Sequence, residues 1–265
     1  MYKNSLLCLC AIIINILPAA PVNNPASPGY IQEGCFFSPG FWMSCRAGYE
    51  GEFISNARLK QKEGNEKRID RFELDAHSGL VVINFMNRFD LFTTLGEASS
   101  CANWRVVFPV GITTRIEMET KYDFKWGVGA KAIFFEWGNA SLSLGGRYTH
   151  LDAPLLSLSA DGAAVSTGES TMRFETWQID LGLSYKIDIF IPYFGVKYSD
   201  DKSSVSAVPN TVLSNNGDMD ISMKNRKNVG VFLGCGLTTS KIFALNIEAR
   251  LIDEEAFSIV GEFRF

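Results

Sequence analysis

Histidine is nearly missing from this chain, with only His77 and His150 in 265 residues. That leaves little for a histidine-centred hydrolytic or zinc site, and no Cys-x-x-Cys pair supplies the ligands instead. Long apolar runs are scarce as well. A helical membrane span needs about 20 consecutive apolar residues, and the longest run, residues 6–17, falls short. It follows Lys3 and precedes Pro18-Ala19-Ala20, the layout of a secretory signal peptide with cleavage expected near Ala20. Charge of one sign is also lacking: 25 basic against 29 acidic residues, with no basic face carrying interleaved aromatics, which argues against a nucleic-acid partner. Of six cysteines, Cys8 and Cys10 fall in the leader. Beyond the inner membrane disulfides persist, so Cys35, Cys45 and Cys101 are candidates for bridges within or between chains. Cys235 sits on an apolar face, where a free thiol is expected. No metal and no cofactor is expected.

What the chain does have is 23 glycines, 20 phenylalanines and a two-residue alternation that runs to its end. Over residues 227–237, Val229, Val231, Leu233, Cys235 and Leu237 oppose Asn228, Gly230, Phe232, Gly234 and Gly236. Over residues 243–251, Phe243, Leu245, Ile247, Ala249 and Leu251 oppose Asn246, Glu248 and Arg250, and the last stretch repeats this up to Phe265. Period two means strands. Strands of 9 to 11 residues with an apolar outer face, a charged inner face and aromatic ends are those of a membrane-spanning barrel. A soluble sandwich also alternates, but it must bury its apolar face against a second sheet.

The same pattern places strands at residues 44–56, 69–84, 90–97, 121–135, 140–150, 174–186 and 190–199, giving ten with the final three. Residues 21–43 read as an extended leader on the periplasmic side, followed by the barrel from residue 44 to 265. Short turns near residues 87, 138, 188 and 240 alternate with longer polar segments, and an even strand count leaves both termini in the periplasm. Residues 98–119 carry Pro109 and lack clean alternation, so they read as a loop; a hairpin there would raise the count to twelve. The expected fold is thus all-β, a transmembrane antiparallel up-and-down β-barrel of about ten strands. The terminal Phe265 is read as a membrane-assembly signal, with the barrel-assembly machinery as its partner.

Several segments are similar to the chlamydial major outer membrane porin family. They include Gly48-Tyr49-Glu50-Gly51-Glu52-Phe53, Asn87-Arg88-Phe89-Asp90 and Gly127-Val128-Gly129-Ala130-Lys131-Ala132, then Pro192-Tyr193-Phe194-Gly195-Val196-Lys197 and the closing Glu262-Phe263-Arg264-Phe265. They occur in family order over nearly every expected strand. The resemblance implies an outer-membrane location and passive diffusion of small hydrophilic solutes or ions. It also implies outer-membrane lipid as surroundings, and a homo-oligomer or disulfide-linked envelope proteins as partners. This chain departs from the family in being shorter, with the missing length in the outer loops.

Alternation assigns the pore lining to Arg46, Glu50, Glu52, Glu73, Asp75, Lys125, Lys131, Arg147, Asp180, Lys186, Lys197, Glu248, Arg250, Glu262 and Arg264. Charges on a pore wall steer and select solutes. The competing expectation is a barrel plugged by its own ion pairs, with a structural or adhesin-like surface role, because about eight strands leave an interior that side chains fill. His150 and Asp152 are candidates for an outer-rim acid–base pair. Without a second carboxylate pair beside them they read as exposed loop residues, so no enzymatic activity is expected.

Overall fold

A computed structural model describes residues 21–31, 42–61, 69–107, 113–208, 219–239 and 242–265. The expected signal peptide and Cys35 lie outside these residues. Ten strands close a ring: β1 (Met43–Ala57), β3 (Ile69–Phe85), β4 (Phe89–Val107), β6 (Asp123–Trp137), β7 (Ala140–Ala160), β9 (Thr171–Tyr185), β10 (Phe190–Ser199), β13 (Val229–Thr238), β14 (Phe243–Leu251) and β15 (Glu254–Arg264). Each pairs antiparallel with the next, and β15 returns to β1 with Arg264 opposite Arg46 and Glu262 opposite Gly48. At the seam the Phe265 amide donates to the Cys45 carbonyl over 3.0 Å. Closure leaves the membrane-embedded strands no free edge, which hydrocarbon demands.

Tight turns join the strands at the periplasmic end. Met86 and Asn87 both take positive φ, the pattern of a two-residue hairpin turn whose twist matches its strands. At the opposite end the strands run on. Shorter strands β2 (Leu59–Gln61), β5 (Thr113–Thr120), β8 (Ala163–Val165), β11 (Lys202–Val208) and β12 (Met219–Asn225) pair onto the extended β4, β7 and β9 and with one another. The segments at residues 98–119 and 151–171, expected as loops, are therefore largely strand where described; in the segment 200–220, also expected as a loop, residues 202–208 and 219–220 are strand and 209–218 lie outside the described residues. The hairpin made by β4 and β5 adds height, not circumference, and the ring stays at ten. The 108–112 connection, with Pro109, lies outside the described residues.

The sheet turns itself inside out along its height. Around the periplasmic half the outer face is apolar and exposed, with Leu91, Leu95, Val128, Leu144, Leu183 and Val196 among its residues, and Phe89, Phe190, Phe243 and Trp137 toward the turns. In the outer half the sense flips. Phe72, Leu74, Ala76, Trp104, Ile116, Met118, Leu155, Met172 and Phe174 pack inward as one apolar cluster, with Phe72 and Phe174 stacked at 5.4 Å. Charged residues such as Asp75, Arg105 and Arg173 point out. Water replaces lipid at that level, so the apolar face must move inside.

Candidate functional site: the barrel lumen

Register fixes which side chains enter the lumen. Arg46 lies opposite Val82, Glu50 opposite Ser78 and Glu52 opposite Ala76, so the even positions of β3 face inward with them. Glu73 and Asp75, expected to line the pore, therefore point outward, as does His77. Alternation was assigned there by putting charge inside, a rule that holds only within the apolar belt, and both carboxylates sit above it. Lys186 lies just past the end of β9 in the periplasmic turn and is partly exposed. The other expected residues are all inside and buried: Arg46, Glu50, Glu52, Lys125, Lys131, Arg147, Asp180, Lys197, Glu248, Arg250, Glu262 and Arg264. Asp90, Asp253 and Glu254 join them. Asp90 has the parity of Thr94 on β4 and was legible; Asp253 and Glu254 belong to a three-residue turn that reads as exposed.

The charges form layers. Uppermost, just beneath the apolar cluster, Glu52 accepts from Lys125 at 2.5 Å and from Arg250 at 3.0 Å. Arg250 reaches Glu254 at 3.3 Å, which also pairs with Lys197, and Lys197 meets Asp253 at 2.9 Å. This ladder crosses the lumen from β6 to β10. One layer down, Arg147 clamps Glu50 through both terminal nitrogens, with one contact at 2.7 Å, and donates to Thr94 at 3.1 Å. Nearest the periplasm, Arg46 bridges Glu262 at 2.8 Å and Asp90 at 2.6 Å. Pairing of this kind is what makes ionised groups tolerable away from bulk water.

Residues 21–31 fill what space is left. They were expected as a periplasmic leader, but run inside the barrel from Ile31 at the periplasmic rim to Pro21 beside Arg147. Polar wall groups meet the segment's backbone: the Val22 amide donates to Glu248 at 2.9 Å and the Asn23 amide to the same carboxylate at 3.0 Å. The Lys131 ammonium donates to the carbonyls of Val22 at 2.5 Å and Asn23 at 2.8 Å. Asn84 holds the Pro28 carbonyl, Asn246 the Tyr30 hydroxyl, and Arg264 the Ile31 carbonyl. A single helical turn, α1 (Ser27–Tyr30), lets Tyr30 and Ile31 pack on Ile191 and Ala244. Most wall carbonyls are committed to the sheet, and apart from the Ile191 carbonyl, which accepts from Asn24 at 3.3 Å, the threaded peptide is met mainly by side chains.

The thiols of Cys45, Cys101 and Cys235 are free, so Cys45 and Cys101 form no bridge in this structure. His150 lies on the outer surface, 3.1 Å from Asp152, which also accepts from Arg173 at 2.8 Å. Both are surface pairs above the apolar belt. Burial pushes the Asp152 carboxyl up, but hydrogen bonds from Arg173 and His150 together with their charges outweigh it and hold the carboxyl below its ordinary value. Among the described residues no group of three or more His, Cys, Asp or Glu side chains is arranged to hold a metal ion.

Residues 145–215 match the family model described as Chlamydia major outer membrane protein. The chain is 24% identical over 375 aligned positions to the major outer membrane porin, serovar E, of Chlamydia trachomatis, covering 94% of this chain and 95% of that one. The serovar H porin matches at 24% over 379 positions with the same coverage. This chain is similar to the chlamydial major outer membrane porins. It is an outer-membrane β-barrel, and because its 265 residues spread over so many aligned positions, the porins carry insertions that it lacks. Among solved structures the outer membrane protease OmpT from Escherichia coli superposes with a TM-score of 0.43 at 13% identity, covering 84% of this chain and 95% of that one. Agreement at that level carries no argument about activity.

Proposed function

We propose that this protein is a porin-like barrel that passes small hydrophilic solutes or ions through its charge-lined lumen, and that the arrangement described above is its closed state. The observation that carries this reading is the composition of the inner wall. Seven basic side chains (Arg46, Lys125, Lys131, Arg147, Lys197, Arg250, Arg264) face eight carboxylates (Glu50, Glu52, Asp90, Asp180, Glu248, Asp253, Glu254, Glu262), all buried. A barrel that served only as a scaffold gains nothing from them, since apolar replacement of buried ion pairs is often neutral or stabilising. In a conducting lumen the same groups line a wet path and set its selectivity. Small solutes and outer-membrane lipid are then its partners. Recognition of Phe265 by the barrel-assembly machinery, a homo-oligomer, and intermolecular bridges through Cys35 or Cys101 belong to the same proposal.

A second reading, a non-conducting structural or surface barrel, is favoured by the filled lumen. Planar-bilayer recordings of the refolded mature protein separate the two. Discrete current steps whose anion preference falls in a Lys131→Glu variant support the porin reading. A folded, inserted barrel that stays silent over the full voltage range removes it in favour of the second.

A further inference from the structure

The lumen holds a seat shaped for residues 21–31, and three independent features mark it. The first is polar: Lys131 spends its donors on backbone carbonyls of residues 22–24, at 2.5 to 3.4 Å, and makes no direct ion pair at 4.0 Å or less among the described residues. The second is steric. Gly236 and Gly182 face inward, and a Cβ on Gly236 would lie 2.4 Å from Asn24 Nδ2, one on Gly182 2.5 Å from Pro25 Cγ. The wall is thinned where the segment bulges. The third is that none of the segment's side chains is charged, so they bring no ion pair to the seat.

We propose that residues 21–31 are a removable plug, a peptide ligand of the barrel's own lumen that withdraws through the periplasmic mouth and opens the membrane-embedded half. Withdrawal is chemically balanced because the wall's remaining charges pair largely with one another: the Arg46, Arg147 and Arg250 clusters keep their carboxylates when the segment leaves. Lys131, Glu248, the rim groups, the Ile191 carbonyl and single bonds at Glu262 and Arg147 are given up when the segment leaves, and incoming water replaces them. A ligand held by backbone bonds and released into water costs far less than breaking a buried ion pair. Entry and exit at the periplasmic rim follow from the direction of the chain, since Ile31 is tied there to Arg264.

The effect on current rests on the porin reading; occupancy and release of the seat do not. The test uses the full mature chain with Cys35, Cys45, Cys101 and Cys235 replaced by Ala, adding Asn24→Cys and Gly236→Cys. Mild oxidation is expected to bridge the pair in the folded barrel, and failure to bridge overturns the seat. Asn24→Cys alone, treated with a membrane-impermeant maleimide, is expected to react slowly but completely, and about tenfold faster once Lys131→Met is added, as a shifted open–closed equilibrium requires. No reaction at all, or a rate equal to that of an exposed cysteine, overturns removability. In bilayers the bridged form is expected to be silent and the reduced form to open. Equal currents in both forms sink the plug. Silence in both, with bridging and slow labelling intact, sinks the porin reading and leaves the removable plug standing.

Discussion

At the level of single residues, what matters is whether a charge has a partner and which solvent it faces. Glu52 and Glu73 are both carboxylates on neighbouring strands, yet one is buried between Lys125 and Arg250 and the other points out above the apolar belt. Replacing Glu52 by Gln strips buried Lys125 of its ion-pair partner and Arg250 of one of its three nearby carboxylates, and the expected loss in denaturant unfolding of the refolded barrel is roughly 3 to 5 kcal/mol. Glu73→Gln and Asp75→Gln are expected within about 0.5 kcal/mol of the parent, with unchanged ion selectivity. A large selectivity shift in either would contradict the register of β1 on β3. Ile252 offers a second check. It is β-branched and held at a φ of 85° in the turn that delivers Asp253 and Glu254 to Lys197. Ile252→Gly should relieve that strain and raise the unfolding midpoint by an amount corresponding to about 1 kcal/mol or more, while Ile252→Val leaves it near the parent.

At the level of strands, the period of two was legible throughout and its sense was not. For β10 and β14 the expected bounds coincide with the observed ones, and the facing along β6 and β13 is as the alternation implies, because these segments lie within the belt. The pattern failed on β3 and above. Phe72, Leu74 and Ala76 alternate with Glu73 and Asp75 as cleanly as lipid-facing residues alternate with lumenal ones, and nothing local says that the solvent outside has changed from lipid to water. Residues 98–107 hid for a related reason: the inward Ala98, Ala102 and Trp104 share no size, and the nearby proline suggested a break where β4 in fact continues. The entry of residues 21–31 into the lumen left no signal at all, since a Pro- and Asn-rich stretch reads the same inside a barrel as beside it. The apolar cluster at the outer end is itself testable. Phe72→Ala removes a fully buried ring stacked on Phe174, and the expected cost is about 3 to 5 kcal/mol. The loss should concentrate in amide exchange of β4, β5 and β9 above the belt, leaving the periplasmic half protected; uniform deprotection would mean that the two halves do not open separately.

At the level of the whole molecule, the lumen is obstructed twice, by the peptide in its periplasmic half and by the apolar cluster in its outer half, and a solute must pass both. Two closures in series set the open probability as a product, so weakening one alone is limited by the other. If they are independent, the fold-increase in open events for Lys131→Met combined with Phe72→Ala equals the product of the single-variant increases, since sites this far apart with no shared partner behave additively in free energy. The layer between them argues for a departure from that product. The ladder from Lys125 through Glu52, Arg250 and Glu254 to Lys197 touches the apolar cluster above, and the Arg250–Glu248 approach at 3.9 Å joins it to the carboxylate that holds Val22 and Asn23 below. Loss of the plug frees Glu248 to draw Arg250 down, which loosens the ladder under the cap. The expected result in bilayers is therefore a double variant that opens more often than the product of the two singles. Adding Glu248→Gln should return the pair to simple multiplication, and a product within error from the start would place the two closures under separate control.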